Sequence, residues 1–246
     1  MTRLLERLDP MRRELGGNHG RVVEGLGRAI TAGDPAPGEL LPRDEELVET
    51  FGVSRTVLRE ALKTLAAKGM IVAKARVGTR VRPRNAWNMF DEQVLRWHLD
   101  GEPSDAFYKQ LFEMRLAFEP HAAGLAARKA TAADVARLFD CVTAMRRAGN
   151  EVDFSVADLE FHRAVFDAAD NAFLYSVVSL VGAALLSLLR RSSPEPKPGQ
   201  QSRICDGHQR IAQAIADGDA TAAQEAMKAV IAVGWTRVFG DDSAIT

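Results

Sequence analysis

Apolar residues recur with helical spacing from Val22 through Val23, Leu26 and Ile30, and the pattern stops at Gly33-Asp34-Pro35. The turn from Pro37 to Pro42 leads into a short second helix, Asp44–Thr50, which Phe51-Gly52-Val53 breaks. Ser54 suits the N-cap of a third helix running to Lys68, and Gly69 ends it. Beyond that point the period falls to two. Met70–Ala73 and Thr79–Arg82 are expected to pair as short strands around a turn at Arg76-Val77-Gly78. Three short helices followed by a hairpin are the layout of a winged helix-turn-helix.

After Pro83-Arg84-Asn85 the alternation disappears and helical patterns fill 91–100, 104–129, 132–148, 151–169, 172–191, 202–217 and 219–239. The run Pro194-Glu195-Pro196-Lys197-Pro198-Gly199 reads as a loop, and Asp217-Gly218-Asp219 as a helix stop followed by a new cap. The expected fold is therefore mainly α. A winged helix-turn-helix at 1–84, with an N-terminal extension at 1–17, precedes a linker at 85–90. An all-α antiparallel bundle of about seven helices follows at 91–240.

One stretch, Ala172–Leu189, carries no charge and approaches membrane-span length. It contains Tyr175, Ser176, Ser179, Gly182 and Ser187, so a buried helix is the better reading. The first residues lack the apolar run of a secretory signal, and Cys141 and Cys205 cannot build a disulfide framework. A cytoplasmic protein is expected.

Net charge is −1 at pH 7, which taken alone argues against a nucleic-acid partner. The average hides an asymmetry. Through Arg84 there are 16 Lys and Arg against 11 Asp and Glu, and after it 16 against 22. A basic third joined to an acidic remainder suits a DNA-binding module attached to a sensor. In the third helix, Leu58, Ala61, Leu62 and Leu65 face inward, while Arg55, Arg59 and Lys63 line the opposite face at four-residue intervals. Long donors at the start of a recognition helix read guanine edges in the major groove. Ser54 and Thr56 suit phosphates, Arg43 and Arg80 are candidate backbone contacts, and Gly78 lets the wing approach the minor groove.

The helical part holds three features that point to a ligand. Asp158 and His162 stand one turn apart, a spacing that suits chelation of a divalent metal or a simple hydrogen-bonded pair. His208 falls on the apolar stripe Ile204–His208–Ile211–Ile215. Arg115 and Arg237 fall on the stripes Leu111–Arg115–Phe118–Ala122 and Ala226–Val230–Val233–Arg237, where a buried guanidinium needs an anionic partner. Glu119, four residues beyond Arg115, is one such partner.

The run LLPRDEELVETFGVSRTVLREALKTLAAKGMI resembles the GntR family of bacterial transcription regulators. The resemblance implies that Arg55 and Arg59 read bases and that Ser54 and Thr56 assist. Glu45 stands where the fatty-acid regulator of that family has a DNA-contacting arginine, so that contact is expected to be absent. The helical part is similar to the FCD ligand-binding domain of the FadR subgroup, which carries Asp-x-x-x-His and two further histidines around a metal that helps hold a carboxylate effector. Asp158, His162 and His208 match three positions, and the fourth, near Val230, is not a histidine. The resemblance implies a Zn, Ni or Mn site with water or effector oxygens completing the shell, weak metal binding, or none.

PRNAWNMFDEQVLRWHL and FEMRLAFEP are similar to the galactonate-operon repressors, regulators of sugar-acid catabolism. That implies a homodimeric repressor on palindromic operator DNA, released by a sugar acid such as galactonate. The effector's carboxylate would meet the metal or Arg115, and its hydroxyls Ser187 and Arg191. The rival is a metal-dependent hydrolase or lactonase with an appended DNA-binding domain. The chain has no HExxH motif, nucleophile elbow or Gly-rich phosphate loop to support it. On these grounds Arg115→Ala is expected to abolish effector response and spare DNA affinity.

Overall fold

The structure is a computed structural model that describes residues 17–101, 103–178, 182 and 199–240. The chain divides into two compact units between Pro103 and Ser104.

In the first unit, α1 (Asn18–Ala32), α2 (Asp44–Phe51) and α3 (Arg55–Ala67) precede an antiparallel hairpin of β1 (Ile71–Lys74) and β2 (Gly78–Val81). The helix ends are set locally. Ser54 Oγ accepts from the Val57 amide at 3.3 Å, and Gly33 and Gly52 end α1 and α2 in the left-handed region. Val22, Val23, Leu26 and Ile30 of α1 are buried with Leu58, Ala61 and Leu65 of α3, with Met70 just before the hairpin and with Ile71 and Val81 in it. Gly69 combines a φ of +77° with a backbone approach so close that a Cβ would meet the Ala86 carbonyl oxygen. The winged helix-turn-helix expected from the pattern is present.

Residues 85–90, expected as a linker, and the helix after them pack into the first unit. Arg84–Ala86 forms a 3-10 turn, Trp87 is buried, and the Asn88 amide donates to the Lys68 carbonyl at 2.9 Å. Helix α4 (Glu92–Asp100) packs on α1, with Val94 and Trp97 in the first unit's core. Trp97 lies over Gly27, where a Cβ would collide with its ring, and its Nε1 donates to Glu24 Oε2 at 2.9 Å. Arg28–Asp100 at 2.7 Å and Lys68–Asp91 at 2.6 Å tie down the two ends of α4. Large apolar side chains outweigh the linker-like composition of Pro83-Arg84-Asn85, so the helical domain expected from residue 91 gives up its first helix to the winged unit.

The second unit contains α5 (Asp105–Lys129), α6 (Ala132–Arg147), α7 (Glu151–Ala168), the one-turn α8 (Ala172–Tyr175), α9 (Gln200–Ala216) and α10 (Ala220–Phe239) among the described residues. Counted from residue 91, that makes seven helical segments with α4 included. The starts of α5, α6, α7, α8 and α10 are capped by Ser104, Thr131, Asn150, Asn171 and Asp219. Helix α5 packs against α10, α7 and α9, while α6 packs against α7 and α9. Most of the expected helix at 172–191 lies outside the described residues. No helix among the described residues is long and apolar enough to cross a membrane.

Candidate functional site

Two clusters stand out, one in each unit. On α3, Leu58, Ala61 and Leu65 are fully buried, which turns Arg55, Arg59 and Lys63 outward, and all three are exposed. Arg55 Nη2 contacts Glu45 Oε1 at 3.2 Å and Lys63 Nζ contacts Glu60 Oε1 at 2.8 Å. Arg59 has no ion-pair partner among the described residues and projects between them. Ser54 and Thr56 are exposed at the helix start, with Ser54 also serving as the N-cap. Arg43 is exposed at the start of α2, where its amide donates to Glu46 at 3.3 Å. Gly78 is exposed at the wing turn with a φ of +117°. Arg80 is half-buried on β2, where its guanidinium donates to the Gly38 carbonyl.

In the second unit a chain of charged and imidazole side chains crosses the bundle interior. Asp158 and His162 project from α7 and His208 from α9, with ligand atoms all within 4.8 Å of one another. His208 Nε2 lies 2.9 Å from Asp158 Oδ1 and 3.4 Å from His162 Nε2, and His162 Nε2 is 3.9 Å from Asp158 Oδ1. A metal held tetrahedrally at about 2.0–2.2 Å sets its ligands roughly 3.3–3.6 Å apart; the separations of 2.9, 3.4 and 3.9 Å bracket that range, so small side-chain shifts would seat an ion. His208 Nδ1 lies 2.8 Å from the Ile204 carbonyl, which can only accept, so Nδ1 carries a hydrogen; Nε2 is the nitrogen that faces Asp158 and would turn to a metal on losing its own proton. Phe161 packs edge-on against the His208 ring, 4.8 Å between centroids.

Both histidines are about 1% exposed, whereas Asp158 keeps 17% of its side-chain surface, which makes it the accessible corner of the cluster. Burial alone would raise the Asp158 carboxyl. The hydrogen bond and charge of His208, with His162 and Arg115, outweigh it and hold the group at about 2. Val230 on α10, the position at which the resemblance implies a further histidine in other members, packs over Gly207, with its Cγ2 2.9 Å from where a Cβ there would stand.

Arg115 faces inward as its stripe requires, but its anionic partner is built in. Its Nε and Nη2 donate to the two oxygens of Glu119 at 2.5 and 3.1 Å, and both residues are buried. Glu119 also touches the metal cluster, since its Oε2 lies 2.8 Å from His162 Nδ1, at an angle short of a formed hydrogen bond. Burial pushes this carboxyl up, yet Arg115 and His162 together bring it down to about 2. Sequence reasoning saw Glu119 only as a partner one turn from Arg115. The contact with a histidine 43 positions away left no local signal.

Arg237 does not join this interior. The buried stripe of α10 is Ala223, Met227, Ile231 and Trp235, and Arg237 sits on a half-buried flank beyond it. Two positions past Trp235 is more than half a helical turn, which carries the guanidinium off the inward face. Ser187 and Arg191 lie outside the described residues.

Comparison with known proteins agrees with both units. Residues 18–81 match the bacterial regulatory proteins of the gntR family, and residues 110–233 match the FCD domain. An uncharacterised helix-turn-helix-type transcriptional regulator of Escherichia coli K12, YieP, is 33% identical over 85% of this chain and 90% of its own length. The galactonate operon transcriptional repressor of the same organism is 30% identical over 89% of this chain and 95% of its own. The solved structure of Lar, which controls expression of the Listeria monocytogenes agr system, superposes with a TM-score of 0.60 at 20% identity, covering 91% of this chain and 97% of that one. These families and relatives are transcription regulators, not enzymes, which sets the hydrolase alternative aside. A gntR-type winged helix-turn-helix followed by an FCD domain, with homology running along most of the chain, makes this protein a member of the GntR family of transcription regulators, of the FadR type.

Proposed function

We propose that the protein is a dimeric repressor of a sugar-acid catabolic operon, released from its operator by a small carboxylate held at a divalent metal in the helical unit. The observation that carries this reading is the buried convergence of Asp158, His162 and His208, with Arg115 and Glu119 directly behind them. Asp158 and the two Nε2 atoms would hold Zn, Ni or Mn and leave coordination positions open, as in sites that bind water or a substrate. Such a metal supplies a Lewis-acidic seat for carboxylate and hydroxyl oxygens. The similarity to the galactonate operon repressor supports a hydroxylated acid as effector.

On the DNA side, two winged units related by two-fold symmetry would read a palindrome in the cytoplasm, with Arg55 and Arg59 on base edges and Lys63, Arg43, Ser54 and Thr56 on the backbone. Effector binding would alter how the two winged units are held, so that both half-sites no longer fit together. The shift is limited to the effector's differential affinity for the two arrangements.

A thermal-shift panel of sugar acids on the full chain, with and without chelator, tests the reading. A galactonate-like acid should raise Tm in the presence of metal, and the same acid should dissociate the protein from operator DNA. A panel in which no carboxylate shifts Tm, with or without added metal, overturns it.

A further inference from the structure

We propose that Glu119 gates the site, making carboxylate capture conditional on the metal by neutralising Arg115 and backing His162. This rests on the reading of the cluster as a metal and carboxylate site, and it concerns the order in which the two guests enter. Arg115, Glu119 and the two imidazoles are buried, and Asp158 completes the cluster at its accessible edge. With neutral imidazoles, Arg115 and Glu119 cancel and Asp158 leaves the cluster net negative. An incoming carboxylate then meets a like charge in a poorly screened interior, and the guanidinium that would welcome it is already held by both oxygens of Glu119.

A divalent cation reverses the sign. The cluster becomes net positive, and one carboxylate brings it to neutrality. Glu119 acts on the metal side too. At 2.8 Å from His162 Nδ1 it favours the proton on that nitrogen, which leaves the Nε2 lone pair for the ion. Glu119 is a positioning residue on this account: it touches neither guest and sets the affinity for each.

Replacing its charge therefore moves the two affinities in opposite directions, which a folding defect does not do. Glu119→Gln keeps the shape, weakens the support of His162 and releases Arg115. Isothermal titration at pH 8 of chelator-stripped full-length protein with Ni²⁺ alone should show metal affinity falling about 10–100-fold against wild type. Titration of the same metal-free protein with D-galactonate should show binding strengthened by about tenfold or more. Glu119→Asp, which keeps the charge, should fall between Glu119→Gln and wild type for Ni²⁺.

Arg115→Met/Glu119→Gln removes both buried charges and guards against a variant that does not fold. It should keep the loss in Ni²⁺ affinity without the gain for galactonate. Unchanged Ni²⁺ affinity in Glu119→Gln, or the two affinities falling together, overturns the gate. If metal-loaded wild type takes no galactonate, the sugar-acid reading fails, and the Ni²⁺ titrations decide the role of Glu119 by themselves.

Discussion

Arg115→Ala should destabilise the helical unit by about 3–5 kcal/mol, because it strands a buried carboxylate. Arg115 and Glu119 are about 2% and 0% exposed and joined by two hydrogen bonds. Without the guanidinium, Glu119 keeps only its angled contact to His162. The sequence alone leads to a variant defective in effector response and otherwise sound; the geometry adds a folding defect. Denaturant unfolding of chelator-treated protein checks this.

The pH dependence has a definite sign. Glu119 is held at about 2 against an ordinary 4.5, a depressed folded value. The pair's contribution is thus complete above about 4.5 and is lost as pH falls through 2. The stability gap between wild type and Arg115→Ala should narrow over that window. Arg115→Met/Glu119→Leu, which removes the pair together, should recover most of the loss. Arg115→Ala protein as stable as wild type at pH 7 would contradict this.

Arg59→Ala should abolish specific operator recognition. A well-placed arginine on guanine contributes about 1–3 kcal/mol of discrimination, roughly 5–150-fold for each half-site and the square of that for a two-fold dimer. Arg59 is the member of the exposed row with no acidic partner among the described residues, whereas Arg55 and Lys63 must first part from Glu45 and Glu60. Fluorescence anisotropy should show operator affinity collapsing towards that for unrelated DNA, with metal affinity unchanged. An equal loss on operator and unrelated sequence would make Arg59 a phosphate contact.

What the sequence made legible is what short-range chemistry decides. Ser54 caps α3, Gly33 and Gly52 stop α1 and α2, and Thr131 and Asp219 start α6 and α10 close to where the pattern put them. The Asp158–His162 spacing and the inward His208 were readable for the same reason, since helical periodicity fixes which way each side chain points. Pairings between distant positions were not readable. Trp97 settling on Gly27 moved α4 into the winged unit, and the contact of Glu119 with His162 joined two sites that the chain presents as separate. Arg237 lies off the buried stripe for another reason: α10 is apolar on several faces, so periodicity does not single out the inward one.

Effector capture as proposed requires that Asp158, His162 and His208 hold a divalent ion. Titration of chelator-stripped wild type with Ni²⁺ or Zn²⁺ should saturate at one ion per chain. Asp158→Asn and His208→Gln should each weaken binding by more than the 10–100-fold typical of an outer-shell partner. Absence of saturable binding, or affinity untouched by both substitutions, would contradict it.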